Sequence, residues 1–134
     1  MPLRLPAAEL MRIGDVRMSV IAIVLKKESY SSGSLVKLHR ALGIPLREIK
    51  DKWVNHNPIF EKEIFQEGYN AHAAVIRAVL KLVDQEQLKA EFYEIPRGER
   101  YAGNTRLDTW RIDGALIKEI LLRADEEIER HLSG

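Results

Sequence analysis

The segment ALGIPLREIKDKWVNHNPIF, Ala41 to Phe60, decides how the chain is read. It closes one helix, breaks at Gly43 and Pro45, opens a second helix and runs into an extended apolar stretch. Gly43 ends the first helix because the chain turns there with a positive φ, which a residue without Cβ adopts at little cost. Pro45 belongs at the first helical position, where its missing N–H would be unpaired in any case. Leu46, Ile49 and Trp53 then recur at spacings of three and four, giving the second helix one apolar face that points inward. Glu48 with Lys52, and Arg47 with Asp51, are charge pairs at a spacing of four on its outer side. Asn57-Pro58 stops the helix, because the residue before a proline is steered away from helical dihedrals.

Upstream, Arg17 to Lys27 (RMSVIAIVLKK) places apolar residues on both alternating sets, as a strand buried on both faces does. Ser31 to Ser34 offer helix-starting hydroxyls, and Leu35, Leu38 and Leu42 follow on one helical face. Residues 1–15 carry two prolines and no sustained period, which predicts a loose arm before a single domain over residues 16–134.

Downstream, Ile59 to Phe65 mixes apolar and charged residues too evenly for a core strand and reads as an edge strand. Gly68 and Asn70 open a third helix with a broad stripe of Val75, Ile76, Val79, Leu80 and Val83. Leu88 to Ile95 alternates and is rich in β-formers, so it reads as a strand. Pro96 to Asp113 holds two glycines and four arginines without a clear period. It is long for a structureless connection, hence either a functional loop or a hairpin with arms at Arg100-Tyr101 and Leu107 to Ile112 around Gly103-Asn104. Asp113 caps a last helix whose Ile117, Ile120, Leu121, Ala124 and Ile128 line one side, to be covered by the chain's own sheet or by a second copy. The sum is an α+β fold with helices over one face of a small sheet.

Composition narrows the function classes. Apolar residues make up 46% and charged residues 31%, the balance of a folded domain with its own core. A net charge of +1 lacks the basic excess of a general nucleic-acid binder. Without cysteine there is no disulfide, thiol nucleophile or cysteine zinc site, and a reducing cytoplasm suits such a chain. The longest apolar run, Val20 to Leu25, is too short to span a bilayer and too far from a basic start to be a secretion signal. A cytoplasmic location without membrane association is expected.

The order strand, helix ending at Gly43, LREIKD, extended stretch, long helix and strand resembles the C-terminal domain of the bacterial ribosomal stalk protein. That family carries Leu-Lys-Glu-Ala-Lys-Asp after a glycine at the corner. Leu46, Arg47, Glu48, Ile49, Lys50 and Asp51 match it position by position, conservatively at Arg47 and Ile49. The resemblance covers Arg17 to Ile95 and implies a β-α-α-β-α-β core. In the family the first two helices recruit translation factors, which implies a protein-binding face carrying Leu46, Glu48 and Lys50. This chain differs in the inserted Ile44 and Pro45, in the opening Ser31-Ser32-Gly33-Ser34, and in the added segment Pro96 to Gly134.

Chemistry-bearing motifs are scarce. His39, His56, His72 and His131 are scattered, with no pair at a spacing of four and no HExxH, so the spacing assembles no metal site. Ser31, Ser32 and Ser34 lack a GxSxG elbow and read as a helix cap. Glu61 with Glu63, and Glu126 with Glu127, read as solvated charges. As a DNA-reading helix, the second helix would present Arg47, Glu48, Lys50, Asp51 and Lys52, of mixed sign, and the two acids repel phosphate. The last candidate is the loop, where Arg97, Arg100, Arg106 and Arg111 interleave with Tyr101, Asn104, Asp108 and Trp110. Arginine, tyrosine and tryptophan dominate interface energetics and also bind RNA by pairing and stacking. Its structural alternative is a hairpin with Trp110 on the core and Asp108 paired to a local arginine.

These readings converge on a non-catalytic protein-binding domain without cofactor or metal, monomeric or homodimeric. Its candidate contact residues are Leu46, Glu48, Lys50, Arg97, Arg100, Tyr101, Arg106, Asp108 and Trp110. An immunity- or antitoxin-like protein that blocks a cognate toxin is its sharpest form. An RNA- or ribosome-associated accessory protein and a small hydrolase built on Asp108 are the alternatives.

Overall fold

The computed structural model describes residues 19–64 and 68–133, the last three by backbone alone. The arm expected over residues 1–15, the start of the first strand at Arg17, Phe65 and the His131 side chain lie outside the described residues. Strand β1 is Val20–Leu25, followed by a 3-10 turn at Lys27–Ser29, helix α1 over Ser32–Leu42 and helix α2 over Leu46–Val54. Next come strand β2 (Pro58–Glu63), helix α3 (Tyr69–Gln85) and strand β3 (Ala90–Ile95). A one-turn helix α4 (Leu107–Trp110), a short strand β4 (Arg111–Ile112) and helix α5 (Gly114–Ser133) complete the fold. The architecture is α+β, and the order β-α-α-β-α-β holds through β3.

The sheet runs β2-β1-β3-β4 with every neighbouring pair antiparallel. Because β1 lies between two partners, both sets of its side chains need cover. Ile21, Ile23 and Leu25 enter the main core with Leu35, Leu38, Ile49, Trp53, Ile76, Val79, Ile120 and Leu121. Val20, Ala22 and Val24 face the other way, together with Tyr93 and Ile95. Each fully buried Ile or Leu side chain contributes roughly 1.5–3 kcal/mol relative to exposure, so this central strand anchors both layers.

Helix ends follow the local chemistry. The Ser31 hydroxyl accepts the Ser34 N–H at 3.1 Å, capping α1, and Asp113 accepts the Leu116 N–H at 2.8 Å, capping α5. Gly43 closes α1 with φ 71° and donates its N–H to the His39 carbonyl at 2.9 Å. His39 Nδ1 also meets the Ile44 carbonyl at 2.6 Å, so one side chain pins the turn between α1 and α2. Helix α2 ends on a left-handed residue that is not glycine: His56 has φ 59°. The His56 N–H donates to Trp53 O at 3.3 Å and the Asn57 N–H to Lys52 O at 2.8 Å, the paired bonds of a Schellman ending.

Several expectations are corrected. Pro45, with ψ 145°, stands one place before α2 as its extended cap, and Leu46 is the first helical residue. Ile49 and Trp53 are fully buried, but Leu46 is 41% exposed, because the first turn of α2 projects past the edge of the core. On α5, Ile117, Ile120, Leu121 and Ala124 are buried on the chain's own core, whereas Ile128 is 37% exposed, beyond the part of the helix that the core covers. No hairpin forms around Gly103-Asn104. Ile112 and Arg111 pair instead with Phe92 and Tyr93 of β3, extending the sheet, and the rest of the segment crosses the sheet's second face.

Candidate functional site

The helix corner presents Leu46, Glu48 and Lys50 to solvent. Glu48 pairs with Lys52 at 3.2 Å one turn on, as the spacing predicts. Lys50 Nζ stands 6.0 Å from the centre of the Tyr30 ring, and Tyr30 meets Trp53 edge-on at 4.9 Å. The exposed face is therefore fixed from behind: the Trp53 indole packs in the core, Tyr30 rests on it, and Lys50 lies over Tyr30. Val36, on α1, is a second large apolar residue left 39% exposed.

The loop is built differently. Tyr101, Leu107 and Trp110 pack against Val20, Ala22, Val24, Tyr93 and Ile95, so the aromatic residues roof the sheet's second face. Tyr101 meets Tyr93 edge-on at 5.5 Å. Two carboxylates of β2 tether the segment: Glu61 accepts the Tyr101 N–H at 2.7 Å, and Glu63 lies 3.5 Å from Arg97. Glu61 and Glu63 are thus structural anchors rather than merely solvated charges. Within the loop, Arg106 pairs with Glu99 at 2.7 Å and its guanidinium stands 5.5 Å from the centre of the Trp110 ring. Asn104 donates to Glu99 and to the Arg100 carbonyl, both at 3.1 Å, and accepts the Arg106 N–H at 2.8 Å. Asp108 makes no ion pair among the described residues, so the expected pairing with a local arginine is replaced by that of Arg106 with Glu99. Arg100 and Asp108 are exposed. A shallow cleft of about 300 Å³ lies over this loop, lined by Glu99, Arg100, Asn104 and Arg106 among others.

A third cluster lies past the far end of α2 from Leu46. Glu91, on β3, is only 9% exposed. Its Oε1 accepts the Tyr93 hydroxyl at 3.0 Å and lies 3.3 Å from His56 Nε2. Its Oε2 lies 3.5 Å from Lys26 Nζ and 3.6 Å from Arg111 Nη1. Burial pushes the Glu91 carboxyl up, but the Tyr93 hydrogen bond and the charges of Arg111, Lys26 and His56 outweigh it and hold the group below its ordinary range. Burial pushes the Tyr93 hydroxyl well up, and its bond to the Glu91 carboxylate adds to the effect. Burial likewise raises the Tyr101 hydroxyl, helped by the charges of Glu91 and Glu61. Arg111 is the one member that the sequence places among candidate loop arginines. The signal for Glu91 was alternation: in LKAEFYEI it shares a strand face with Tyr93 and Ile95, which are buried.

Among the described residues no group of three or more histidines and acids converges as a metal site. Comparison with protein-family models, curated proteins and solved structures finds no match for this chain.

Proposed function

We propose that this chain is a non-catalytic protein-binding domain that meets its partner through the α1–α2 corner. One observation carries the reading: Leu46 is 41% exposed at the start of α2, at a place in the helical period where Ile49 and Trp53 are fully buried. Lys50 stands one turn further on, over a ring held by the core. An apolar side chain beside a lysine that lies over a packed ring offers a partner contact area and orientation at low ordering cost. The resemblance of Leu46 to Asp51 to the stalk-protein corner supports the same face. The chain's size and α+β build suit the immunity or antitoxin type, in which one domain occludes one partner. The loop's tyrosine and tryptophan, by contrast, lean on the sheet.

The test is affinity capture from the native host with three chains. Leu46→Asp combined with Lys50→Glu alters the corner, and both sites are exposed, so the fold is kept. Arg100→Glu combined with Asp108→Lys alters the loop. A partner retained by the wild type and the loop variant but lost by the corner variant is expected. A partner lost only by the loop variant overturns the assignment.

A further inference from the structure

We propose that Lys26, His56 and Arg111, gathered around the buried Glu91 carboxylate, form a binding site for one further carboxylate group. Four elements bring them together. Lys26 follows β1, where Val24 lies opposite Glu91 in the ladder, and Arg111 lies opposite Tyr93. His56 reaches the same carboxylate from the end of α2.

Donor capacity is left over. Direct hydrogen bonds from nitrogen to oxygen span about 2.7–3.2 Å. At 3.5 and 3.6 Å from Oε2, Lys26 and Arg111 are held by charge rather than by short bonds. A lysine ammonium carries three N–H groups and an arginine guanidinium five, so most of theirs point elsewhere. The side chains of Lys26, His56 and Arg111 are 37%, 48% and 52% exposed, whereas that of Glu91 is 11% exposed. Glu91 therefore forms the floor, and the cations form a rim open to solvent.

Charge sets the ligand. Lys26 and Arg111 against Glu91 leave the cluster one fixed positive charge in excess. A single carboxylate balances that excess. A phosphate, with more than one negative charge at neutral pH, would face the Glu91 carboxylate with charge to spare. The backbone at His56 fits the same account. A non-glycine residue at φ 59° costs free energy that glycine would spare, and the side chain retained there is the one that completes the rim.

The experiment is a titration of isotopically labelled full-length chain with sodium acetate at constant ionic strength, followed by nuclear magnetic resonance. Sodium chloride and inorganic phosphate are the parallel arms. Saturable acetate shifts at Lys26, His56, Glu91 and Arg111 are expected, with a weak affinity suited to so small a ligand. Lys26→Gln and Arg111→Gln should each weaken acetate binding at least several-fold. Both positions are partly exposed, and well-dispersed amide spectra would show that the variants stay folded. N-acetyl-glutamate amide binding as acetate does would place the carboxylate on a protein side chain. Acetate binding without it would place the carboxylate on a free small acid. Shifts that rise linearly and equally with acetate and chloride overturn the proposal, as does phosphate binding more tightly than acetate.

Discussion

The Trp53 indole N–H donates to the Lys26 carbonyl at 2.9 Å, joining the last turn of α2 to the residue just beyond β1. Through this bond a fully buried side chain also fixes the backbone of a residue whose ammonium faces Glu91. The corner and the polar cluster therefore share one structural support.

Removing that support should be costly. Trp53→Ala is expected to lower stability by about 3–5 kcal/mol, the range for emptying a large aromatic site. Trp53→Phe keeps much of the packing, and the Lys26 carbonyl still accepts the Ser29 N–H at 3.0 Å and the Ser29 hydroxyl at 2.8 Å, so losing the indole donor costs only about 0.5–1.5 kcal/mol. Denaturant midpoints measure both. A midpoint that hardly moved in Trp53→Ala would mean that the corner is not framed from behind.

Trp110 should respond in the opposite way to the phenylalanine exchange. Its Nε1 is buried with no hydrogen-bond partner among the described residues. Trp110→Phe removes an unsatisfied donor and is expected to be close to neutral, whereas Trp110→Ala uncovers part of the sheet's second face at about 2 kcal/mol. Equal losses for the two variants would show that the indole N–H matters more than the ring's packing.

Acid should weaken the fold through Glu91. Its carboxyl lies below the ordinary 4.5 in the folded chain. A group depressed in this way stabilises the fold above its unfolded pKa, and the contribution is lost as pH falls through the folded value. Glu86 is lowered too, by hydrogen bonds from Lys37 and Ser34, and adds to the same limb. Glu91→Gln should therefore be less stable at neutral pH and lose less stability below about pH 4.5 than the wild type. Urea midpoints across that range measure it, and parallel acid limbs would show that Glu91 contributes no pH dependence.

The last helix belongs to the core. Ile120 and Leu121 are fully buried, so either alanine substitution should cost about 2–5 kcal/mol. Leu122→Ala, at a residue 56% exposed, should change stability little. Thermal or chemical unfolding of the three variants separates these cases.

Much of this fold was legible because its signals are local. VIAIVL, apolar on both alternating sets, reads as a strand with two buried faces, and Val20 to Leu25 is one. Ser31, Gly43 and Asp113 announced their helix ends by side-chain chemistry that depends on no distant residue. The segment Pro96 to Asp113 was not legible, because its conformation answers to tertiary demand. A strand buried on both faces requires a second cover, and among the described residues Tyr101, Leu107 and Trp110 supply it. Leu46 misled because periodicity gives a helix face, not how far the core extends beneath it. His56 could not be read as a helix ending, since that left-handed position is normally marked by glycine. Its partner Glu91 stands far away in sequence.

Contact through the corner can be read out by photocrosslinking in the native host. A photoreactive phenylalanine analogue at position 46 is compared with the same residue at position 100, on the exposed side of the loop. One discrete protein adduct is expected from position 46, abolished by Lys50→Glu, and none from position 100. An adduct from position 100 alone, or one from position 46 indifferent to Lys50, would contradict it.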